Sequence, residues 1–534
     1  MPQSEKVSQS ENVTRPENVA AVLLAQNLER CPDKAAYLCG DDTLTHRALA
    51  AEAARFANLL RARGIGPGDR VALVLPDSLA YPKALLGALL LGAAPVPVSA
   101  MLSPQDYAFI LADCQATALI TWEDSPAAEG ARDVPQTGVV LFCGSDGPWG
   151  LCDHSAEFAP VPPDDGASGG APGFMLYSSG STGRPKGVPH EQADLLGPAR
   201  PWGSEVLCVT PDDVLFSASK MSFAYGLMSS LTLPLFFGAT GVLFPGKPGP
   251  YELFAAIARH RPSLFFCVPT LYNIMLRAYE PGQPGIDLSS VRLCYSAGEA
   301  LPASLCREWH VQTGVEILDG IGSTEAFNLF LSNRPGRVHC GASGEVLPGF
   351  ETRLVQDGGD GNSLEAPDGT PGNLLIRGPG LATAYWQRPE KTAETMLPGG
   401  WLATGDVYVR ENGVYTHQGR SDDMLKVGAH WVSPVQVEEA LRLHPAVAEC
   451  AVAGLRVEGL LRPCAHVVLR ESDTVQNQSQ GQGQSQAQSR LGTEIIRHAR
   501  GLLPAYMCPV RVEFHTDLPK TPTGKIQRFR LRSA

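Results

Sequence analysis

Glycines, hydroxyl residues and basic side chains are concentrated in residues 177–188, where the sequence reads YSSGSTGRPKGV. Glycine lets the backbone turn tightly, and successive backbone N–H groups in such a loop can bind an anion. The hydroxyl groups and the ammonium of Lys186 add further donors for phosphate. The segment therefore predicts a polyphosphate-binding loop, although it lacks the order of a Walker loop. A flexible Ser/Gly linker is the alternative, which the Arg-Pro-Lys-Gly directly after the glycines disfavours.

The rest of the chain must position this loop. Short apolar runs at 70–75, 94–98, 118–121, 138–142 and 174–176 predict strands. Helical patterns at 19–28, 45–63 and 79–91 alternate with the first of these runs, which predicts an α/β fold with a mainly parallel sheet. Residues 144–172 are rich in Asp, Gly and Pro and are expected to form a surface loop.

Further strands are predicted at 214–217, 263–268, 291–295 and 315–318. The last two run into glycine-containing turns, SAGEALP at 296–302 and DGIGSTE at 319–325. Because ligands bind at the carboxyl ends of strands in open α/β sheets, these turns and the phosphate loop are expected to share one site. Residues 220–226, KMSFAYG, supply either a flat ligand wall or ordinary core aromatics.

Glycine and proline become frequent in residues 340–420, and strands at 350–355 and 373–377 predict a small β-subdomain. The last part of the chain has a second pattern, with helices at 434–443 and 492–502 and strands at 449–454 and 464–470. The Gln/Ser/Gly-rich tract at 474–490 is predicted to be a solvent loop. We expect a disordered segment at 1–16, an N-terminal domain at 17–421 and a C-terminal domain at 422–534.

Composition excludes several classes of protein. The net charge is −12 and no basic tract is evident, so nucleic acid is not an expected partner. The polar N-terminus lacks the apolar core of a secretory signal. The apolar stretch at 227–244 contains Ser, Thr, Pro and Gly, and it predicts a buried helix–turn–strand rather than a membrane span. The 13 cysteines show no zinc-site spacing, which favours reduced thiols and a cytoplasmic location.

Six segments in order resemble the motifs of acyl-adenylate-forming enzymes, the superfamily of acyl-CoA synthetases, peptide-synthetase adenylation domains and firefly luciferase. They are YSSGSTGRPKG, SAGEALP, DGIGSTE, WLATGD, GRSDDMLK and PKTPTGKIQR. KMSFAYG and DGIGSTE are most similar to the benzoate-CoA ligase branch. The resemblance implies a large N-terminal domain of α/β subdomains with a small β-subdomain, followed by a small mobile α+β C-terminal domain. It also implies ATP, Mg²⁺ and coenzyme A as cofactors, and a small aromatic acid as substrate.

The resemblance implies three catalytic residues, which are Lys525, Glu325 and Lys186. Thr182 and Glu325 match the magnesium positions. The ATP- and AMP-binding residues that it implies are Ser178, Ser179, Gly180, Ser181, Thr182, Gly183, Gly298, Glu299, Ala300, Asp319, Gly320, Ile321, Gly322, Ser323, Thr324, Asp406 and Arg420. Those of the acyl pocket are Phe223, Ala224, Tyr225, Gly298, Gly320, Ile321, Gly322 and Asn328.

Asp422 matches the family's hinge, and Lys426 and Gly428 are candidates for the thioester-forming step. Benzoate ligases carry His where this chain has Asn328, which favours a ring with an amino or hydroxyl substituent. Transfer to a carrier protein instead of coenzyme A is the alternative function, and the chain is expected to be a monomer or a homodimer.

Overall fold

The computed structural model describes residues 18–143, 155–162, 172–178, 184–357, 363–428, 430–457, 459–470, 482–520 and 526–532. The predicted disorder at 1–16 lies outside these residues. Within them, no helix is both long enough and apolar enough to cross a membrane.

Helices and strands alternate in the first region, as predicted. Its elements are α1 (Val19–Arg30), β1 (Ala35–Cys39), β2 (Asp42–Thr45), α2 (His46–Ala62), β3 (Arg70–Leu73), α3 (Ala80–Leu90), β4 (Ala94–Pro97), α4 (Pro104–Asp113), β5 (Ala118–Thr121), α5 (Pro126–Ala131) and β6 (Val139–Phe142). Four of the strands form a parallel sheet in the order β4-β3-β5-β6. The side chain of Thr45 accepts a hydrogen bond from Ala48 N and so caps α2.

The second region contributes most of a nine-stranded sheet. Its elements are β7 (Phe174–Ser178), β8 (Lys186–His190), β9 (Val214–Ser217), α6 (Ala224–Leu227), α7 (Leu233–Phe237), β10 (Thr240–Val242), α8 (Pro250–His260), β11 (Leu264–Cys267), α9 (Pro269–Ala278), β12 (Leu293–Ser296), α10 (Ala303–Thr313), β13 (Ile317–Ser323), β14 (Asn328–Ser332) and β15 (Glu345–Val346). The sheet order is β15-β14-β13-β12-β11-β9-β10-β1-β2, and the strands from β13 to β1 are parallel. Short 3₁₀ and π-helical turns occur at Ser155–Glu157, Gln192–Leu196, Ala199–Ser204, Met228–Thr232 and, near the C-terminus, Arg528–Arg530.

The third region is the predicted antiparallel β-subdomain. Its elements are β16 (Glu351–Asp357), β17 (Ser363–Glu365), β18 (Gly372–Arg377), α11 (Pro389–Thr395), β19 (Met396–Leu397), β20 (Trp401–Glu411) and β21 (Val414–Arg420). The sheet order is β17-β16-β18-β20-β19, and β21 pairs with β20. Thr352 and Tyr415 join β16 to β21 through a hydrogen bond of 2.7 Å between their hydroxyl groups.

The C-terminal region has its own core. Its elements are β22 (Leu425–Val427), β23 (His430–Val432), α12 (Pro434–Arg442), β24 (Val447–Val457), β25 (Leu460–Leu469), α13 (Gln482–Arg500) and β26 (Arg511–His515). Strands β24, β25 and β26 form one sheet, in which β24 is antiparallel and β26 parallel to β25. Val437, Val467 and Ile495 are buried in the core that this sheet forms with α12 and α13. A large α/β N-terminal domain with a β-subdomain and a small C-terminal domain therefore agree with the predicted fold class.

Two details of the sequence prediction are wrong in the N-terminal domain. The strand before the phosphate loop does not join the large sheet, because β7 and β8 pair with each other and the loop connects them as a hairpin. The segment at 319–323 is not a turn, because β13 continues through it and pairs with β14. The glycines permit this pairing: a Cβ at Gly322 would lie 2.3 Å from the Asn328 carbonyl oxygen. The apolar stretch at 227–244 forms helix, turn and strand, as predicted.

Two further predictions need correction. The Gln/Ser/Gly-rich tract at 474–490 is not a loop throughout, because α13 already begins at Gln482. A helix propagates cheaply once a turn exists, and Gln, Ala and Arg favour it. The thiols are not all free, because Cys306 and Cys340 form a disulfide between α10 and the segment after β14. Cys152 and the first part of the tract, up to residue 481, lie outside the described residues.

Candidate active site

Three side chains meet beside the predicted phosphate loop. The Lys186 ammonium lies 4.7 Å from the centroid of the Tyr385 ring, and the Tyr385 hydroxyl donates a hydrogen bond of 2.7 Å to Glu325 Oε1. Burial lowers the pKa of Lys186, and the Glu325 carboxylate opposes that shift. Tyr385 was not predicted, because it stands alone in the segment LATAYW without a motif around it.

Backbone hydrogen bonds hold these side chains in place. Ala382 N donates to the Glu325 carbonyl oxygen at 2.7 Å, and Trp386 N donates to the Gly187 carbonyl oxygen at 2.8 Å. Ser178 at the end of β7 pairs with Lys186 at the start of β8, so both ends of the loop are fixed. The loop residues themselves lie outside the described residues; they are Ser179, Gly180, Ser181, Thr182 and Gly183.

Asp406 and Arg420 face each other on the paired strands β20 and β21. Arg420 Nη1 donates to Asp406 Oδ1 at 3.3 Å and to the Thr404 carbonyl oxygen at 3.0 Å. Burial opposes the charge of Arg420, but the carboxylates of Asp406 and Asp422 raise its pKa, and Glu325 adds to this effect. The field of Arg420 also reaches Lys186, whose pKa it helps to lower. The structure thus brings Lys186, Glu325, Asp406 and Arg420 into one electrostatic site.

The segment after β12 lies next to β13 in the sheet, where Ser296 pairs with Asp319. Gly298 has a φ of 91°, and Glu299 Oε2 accepts hydrogen bonds from Thr270 N at 3.2 Å and Thr270 Oγ1 at 2.6 Å. Asp319 is buried, which raises its pKa well above the usual range. The remaining predicted nucleotide contacts extend from these two segments. They are Ala300, Gly320, Ile321, Gly322, Ser323 and Thr324.

The predicted acyl-pocket aromatics differ in their surroundings. The Tyr225 hydroxyl donates to the Tyr295 carbonyl oxygen at 2.9 Å, and its ring packs against Trp202 and Phe266. Tyr225 therefore also belongs to an aromatic cluster of the core. Phe223, directly before α6, is only half-buried. Ala224, at the start of α6, is buried.

Asp77 holds the backbone of the 220–226 segment, and it was not predicted from the sequence. Both of its carboxylate oxygens accept from Met221 N at 3.2 Å, and burial raises the pKa of Asp77 to about 6, although Lys220 opposes the shift. Lys220 in turn donates to the Gly246 carbonyl oxygen at 3.0 Å. The position of Asp77 shortly after β3, beyond the apolar run at 70–75, is the signal that could have suggested it.

Asn328, which is predicted for the acyl pocket, is a buried polar residue. It is fully buried at the start of β14, where it pairs with Ser323. Among the described residues, neither its amide nitrogen nor its amide oxygen has a hydrogen-bond partner. A buried polar group without a partner costs about 1–3 kcal/mol.

The predicted hinge is held by the end of the chain. Arg532 Nη2 donates to the Asp422 carbonyl oxygen and to Asp423 Oδ1, both at 2.6 Å. Lys426 lies on β22, with its ammonium 5.7 Å from the Trp431 ring centroid, and Gly428 follows with a φ of 61°. Lys525 lies outside the described residues.

Comparisons with known proteins agree with this architecture. Residues 24–386 match the family described as AMP-binding enzyme, and residues 436–525 match the AMP-binding enzyme C-terminal domain. The chain is 41% identical over 529 residues to a benzoate–CoA ligase of Thauera aromatica, covering 97% of this chain and 96% of that protein.

Two crystal structures have similar folds. The anthranilate CoA ligase AuaEII in complex with anthranoyl-AMP is 38% identical, with a TM-score of 0.86 and coverage of 97% of both chains. A benzoate CoA ligase from Burkholderia xenovorans LB400 is 38% identical, with a TM-score of 0.83 and coverage of 97% of this chain and 100% of that chain. The motifs, the two-domain fold and these matches show that the chain belongs to the AMP-binding enzyme family.

Proposed function

We propose that this protein joins a small aromatic carboxylic acid, benzoate- or anthranilate-like, to coenzyme A through an aryl-adenylate. ATP is consumed, and the products are the aryl-CoA thioester, AMP and pyrophosphate. One observation carries the proposal: Lys186, Glu325, Asp406 and Arg420 come from distant segments and meet beside the Gly/Ser-rich loop. The similarity to proteins named benzoate–CoA ligase and anthranilate CoA ligase supports the substrate class.

In the first step, a carboxylate oxygen of the acid attacks the α-phosphorus of ATP, and pyrophosphate leaves. Negative charge gathers on the phosphates, so the protein's contribution is positioning and electrostatic stabilisation. We assign the β- and γ-phosphates to the loop from Ser178 to Gly183 and to Lys186. Because Lys186 is half-buried, its charge is screened less by water, and its contact to phosphate would be stronger than that of a solvated lysine. Lys525 is assigned to the reacting carboxylate and the α-phosphate.

The donor set fits magnesium, which prefers hard oxygen ligands and retains several waters. Glu325 offers a carboxylate held at Oε1 by the Tyr385 hydroxyl, and its second oxygen is the ligand that we assign to the ion. Thr182 is the other residue assigned. When bound, the ion would neutralise phosphate charge.

The nucleoside is assigned to Asp406, Arg420 and the two segments that follow β12 and continue β13. Asp406, oriented by Arg420, accepts the ribose hydroxyls, because a carboxylate is the natural acceptor for a diol. The segments at 298–300 and 319–324 flank the adenine, together with Glu299, which the Thr270 hydrogen bonds hold in place.

The aryl ring is assigned to a pocket formed by Phe223, Ala224, Tyr225 and the glycines of β13. The unpaired Asn328 amide supports a ring with a polar substituent, because an amino or hydroxyl group would supply the missing hydrogen bond. Replacing Asn328 with Leu, which has a similar volume, should move selectivity from anthranilate toward benzoate by about tenfold, the scale of one hydrogen bond. Unchanged selectivity would remove this residue from the substrate pocket.

In the second step, the thiol of coenzyme A attacks the aryl carbonyl carbon, and AMP leaves. The thiol needs an open path, so Lys525 must withdraw. We assign the movement to Asp422, because a few residues at a domain junction can absorb large backbone changes. Lys426 and Gly428 are the residues we expect to reach the site afterwards. A cytoplasmic location would supply both ATP and coenzyme A.

The proposal is tested by ATP–pyrophosphate exchange with benzoate, anthranilate, hydroxybenzoates and octanoate, followed by product analysis with coenzyme A. Aromatic acids should support exchange at least about tenfold faster than octanoate, and the aryl-CoA should accumulate. Lys186→Ala should abolish exchange for every acid, which controls for contaminating activity. A preference for octanoate would contradict the substrate class. Product formed only on an added carrier protein would contradict the acceptor and favour the alternative.

A further inference from the structure

A cluster of metal-binding side chains lies in the C-terminal domain and has no part in the proposed reaction. Cys464 and His466 are two residues apart on β25, so both point to the same face of the sheet. Glu513 on β26 pairs with His466 in the parallel register and shares that face. One ligand atom from each of these three residues lies within 4.8 Å of the others. The Cys-x-His spacing was not singled out in the sequence, because Glu513 is distant along the chain.

The distances between the donor atoms are close to those around a four-coordinate dication. Donor atoms about 2.0–2.3 Å from a tetrahedral zinc ion lie roughly 3.3–3.7 Å from one another. His466 Nδ1 lies 3.6 Å from Glu513 Oε2 and 3.0 Å from Nε2 of His515, the next residue on this face of β26. Small side-chain rotations would bring these atoms to ligand spacing. Cysteine, histidine and carboxylate together favour a borderline ion such as Zn²⁺ over Mg²⁺ or Ca²⁺.

The cluster is enclosed but can be reached. Cys464 is 2% and His466 3% exposed, whereas the Glu513 side chain is 29% exposed and provides an entry side. Arg511 contacts Glu513 through Oε1 at 3.3 Å, which leaves Oε2 directed at His466. Ala465, which lies between Cys464 and His466 in the chain, faces the domain core instead. The cluster is therefore separate from the hydrophobic packing of α12 and α13.

We infer that Cys464, His466 and Glu513 form a site for a zinc-like dication, with His515 beside them as a further nitrogen donor. Binding releases the thiol proton to solvent and cross-links β25 to β26. The segment after β26 bends back through the bridge between Lys520 and Ile526, on either side of the tract that contains Lys525. Leu518 and Ile526 pack on the same face of the sheet, against Ala451 and Ala453. The metal would thus stabilise the pairing of β26 with β25, just before the segment that contains Lys525.

The competing interpretation is a metal-free polar cluster, in which the two histidines share a hydrogen bond and Glu513 accepts another. This arrangement needs no thiolate. Sulfur ligation therefore distinguishes the two interpretations.

The test titrates full-length, metal-free protein with Co²⁺ alone and follows the absorption spectrum. The inference predicts about one equivalent of bound cobalt, visible d–d bands of a four-coordinate ion and a near-ultraviolet thiolate-to-cobalt charge-transfer band. Cys464→Ser should remove the charge-transfer band and weaken cobalt binding at least tenfold. Cys508→Ser is the matched control, since Cys508 is another buried free cysteine of this domain, and it should leave the spectrum unchanged.

Glu513→Gln covers the case in which Cys464→Ser does not fold, because Glu513 is partly exposed. It should keep the wild-type circular dichroism and weaken cobalt binding about tenfold. Zn²⁺ alone should raise the thermal midpoint of the wild type by a few degrees and that of Glu513→Gln by less, since a ligand of the folded state stabilises it. A wild-type spectrum without the charge-transfer band, or a band that persists in Cys464→Ser, would overturn the inference.

Discussion

The two sides of the proposed reaction centre are held in different ways. On the N-terminal side, Glu325 is fixed through its side chain by Tyr385 and through its carbonyl oxygen by Ala382 N. On the C-terminal side, Arg532, which is 42% exposed, donates to the Asp422 carbonyl oxygen and to Asp423 Oδ1, a contact within residues 422–534. Between the two regions, Arg277 donates to the Ala448 carbonyl oxygen at 3.4 Å. A hydrogen bond of this length is at the long end of the usual range. The contrast supports the proposal of a fixed platform for adenylation and a C-terminal domain that can exchange positions.

The largest effect is expected at Lys525, through which the C-terminal domain is proposed to supply a positive charge to the adenylation site. Lys525→Ala should lower ATP–pyrophosphate exchange about 100-fold or more, because a preorganised cation is lost from the site where negative charge develops. Lys520→Ala is the matched control: Lys520 pairs with Glu449 and Asp517, and its loss should change exchange less than about threefold. Near-normal exchange in Lys525→Ala would exclude that lysine from adenylation.

Freezing the hinge should separate the two steps in the opposite direction. Asp422→Pro restricts the backbone at the junction, so thioester formation should fall about tenfold or more while exchange is largely retained. Asp422→Ala keeps the backbone freedom and serves as the control. If both variants lose exchange and thioester formation equally, the movement is centred elsewhere.

A smaller effect is expected from the fixed side. Tyr385→Phe removes the hydrogen bond to Glu325 but keeps the ring next to Lys186, so exchange should fall about tenfold, as for one hydrogen bond to a charged group. Tyr415→Phe removes a comparable hydroxyl contact, to Thr352, away from the site and should leave exchange unchanged. Equal loss in both variants would mean that Tyr385 acts only through stability.

The smallest effect is expected at Asp77, which holds the backbone of the 220–226 segment. The pKa of Asp77 rises from 3.8 to about 6 on folding, so the folded protein binds the proton more tightly than the unfolded chain. Stability from this group is present below about pH 4 and is lost as the pH rises to about 6. Asp77→Asn cannot titrate but still accepts from Met221 N. The thermal midpoint of the wild type should therefore fall relative to that of Asp77→Asn between pH 4 and 6, and a constant difference would contradict the shift.

The site residues that belong to sequence motifs could be predicted. The order of the motifs gave Lys186, Glu325, Asp406 and Arg420, and the structure brings these four residues together. Tyr385 could not be predicted, because it acts on a residue more than 50 positions away and has no pattern of its own. Asp77 also acts on a distant residue, and its position shortly after a predicted strand was the one signal that could have suggested it.

Local structure was predicted less well where long-range pairing or propagation decides it. Pairing with β14 keeps residues 319–323 extended despite two glycines, and the helix downstream extends back to Gln482. The disulfide between Cys306 and Cys340 depends on the approach of two segments 34 residues apart, which composition cannot reveal.

The most direct test of the proposal that Lys525 serves adenylation alone uses the Lys525→Ala variant. This variant is supplied with preformed benzoyl-adenylate and coenzyme A, and the rate of thioester formation is measured. Because Lys525 is expected to have left the site in this step, the account predicts a rate within about threefold of the wild type, although exchange is lost. A loss of thioester formation as large as the loss of exchange would contradict it.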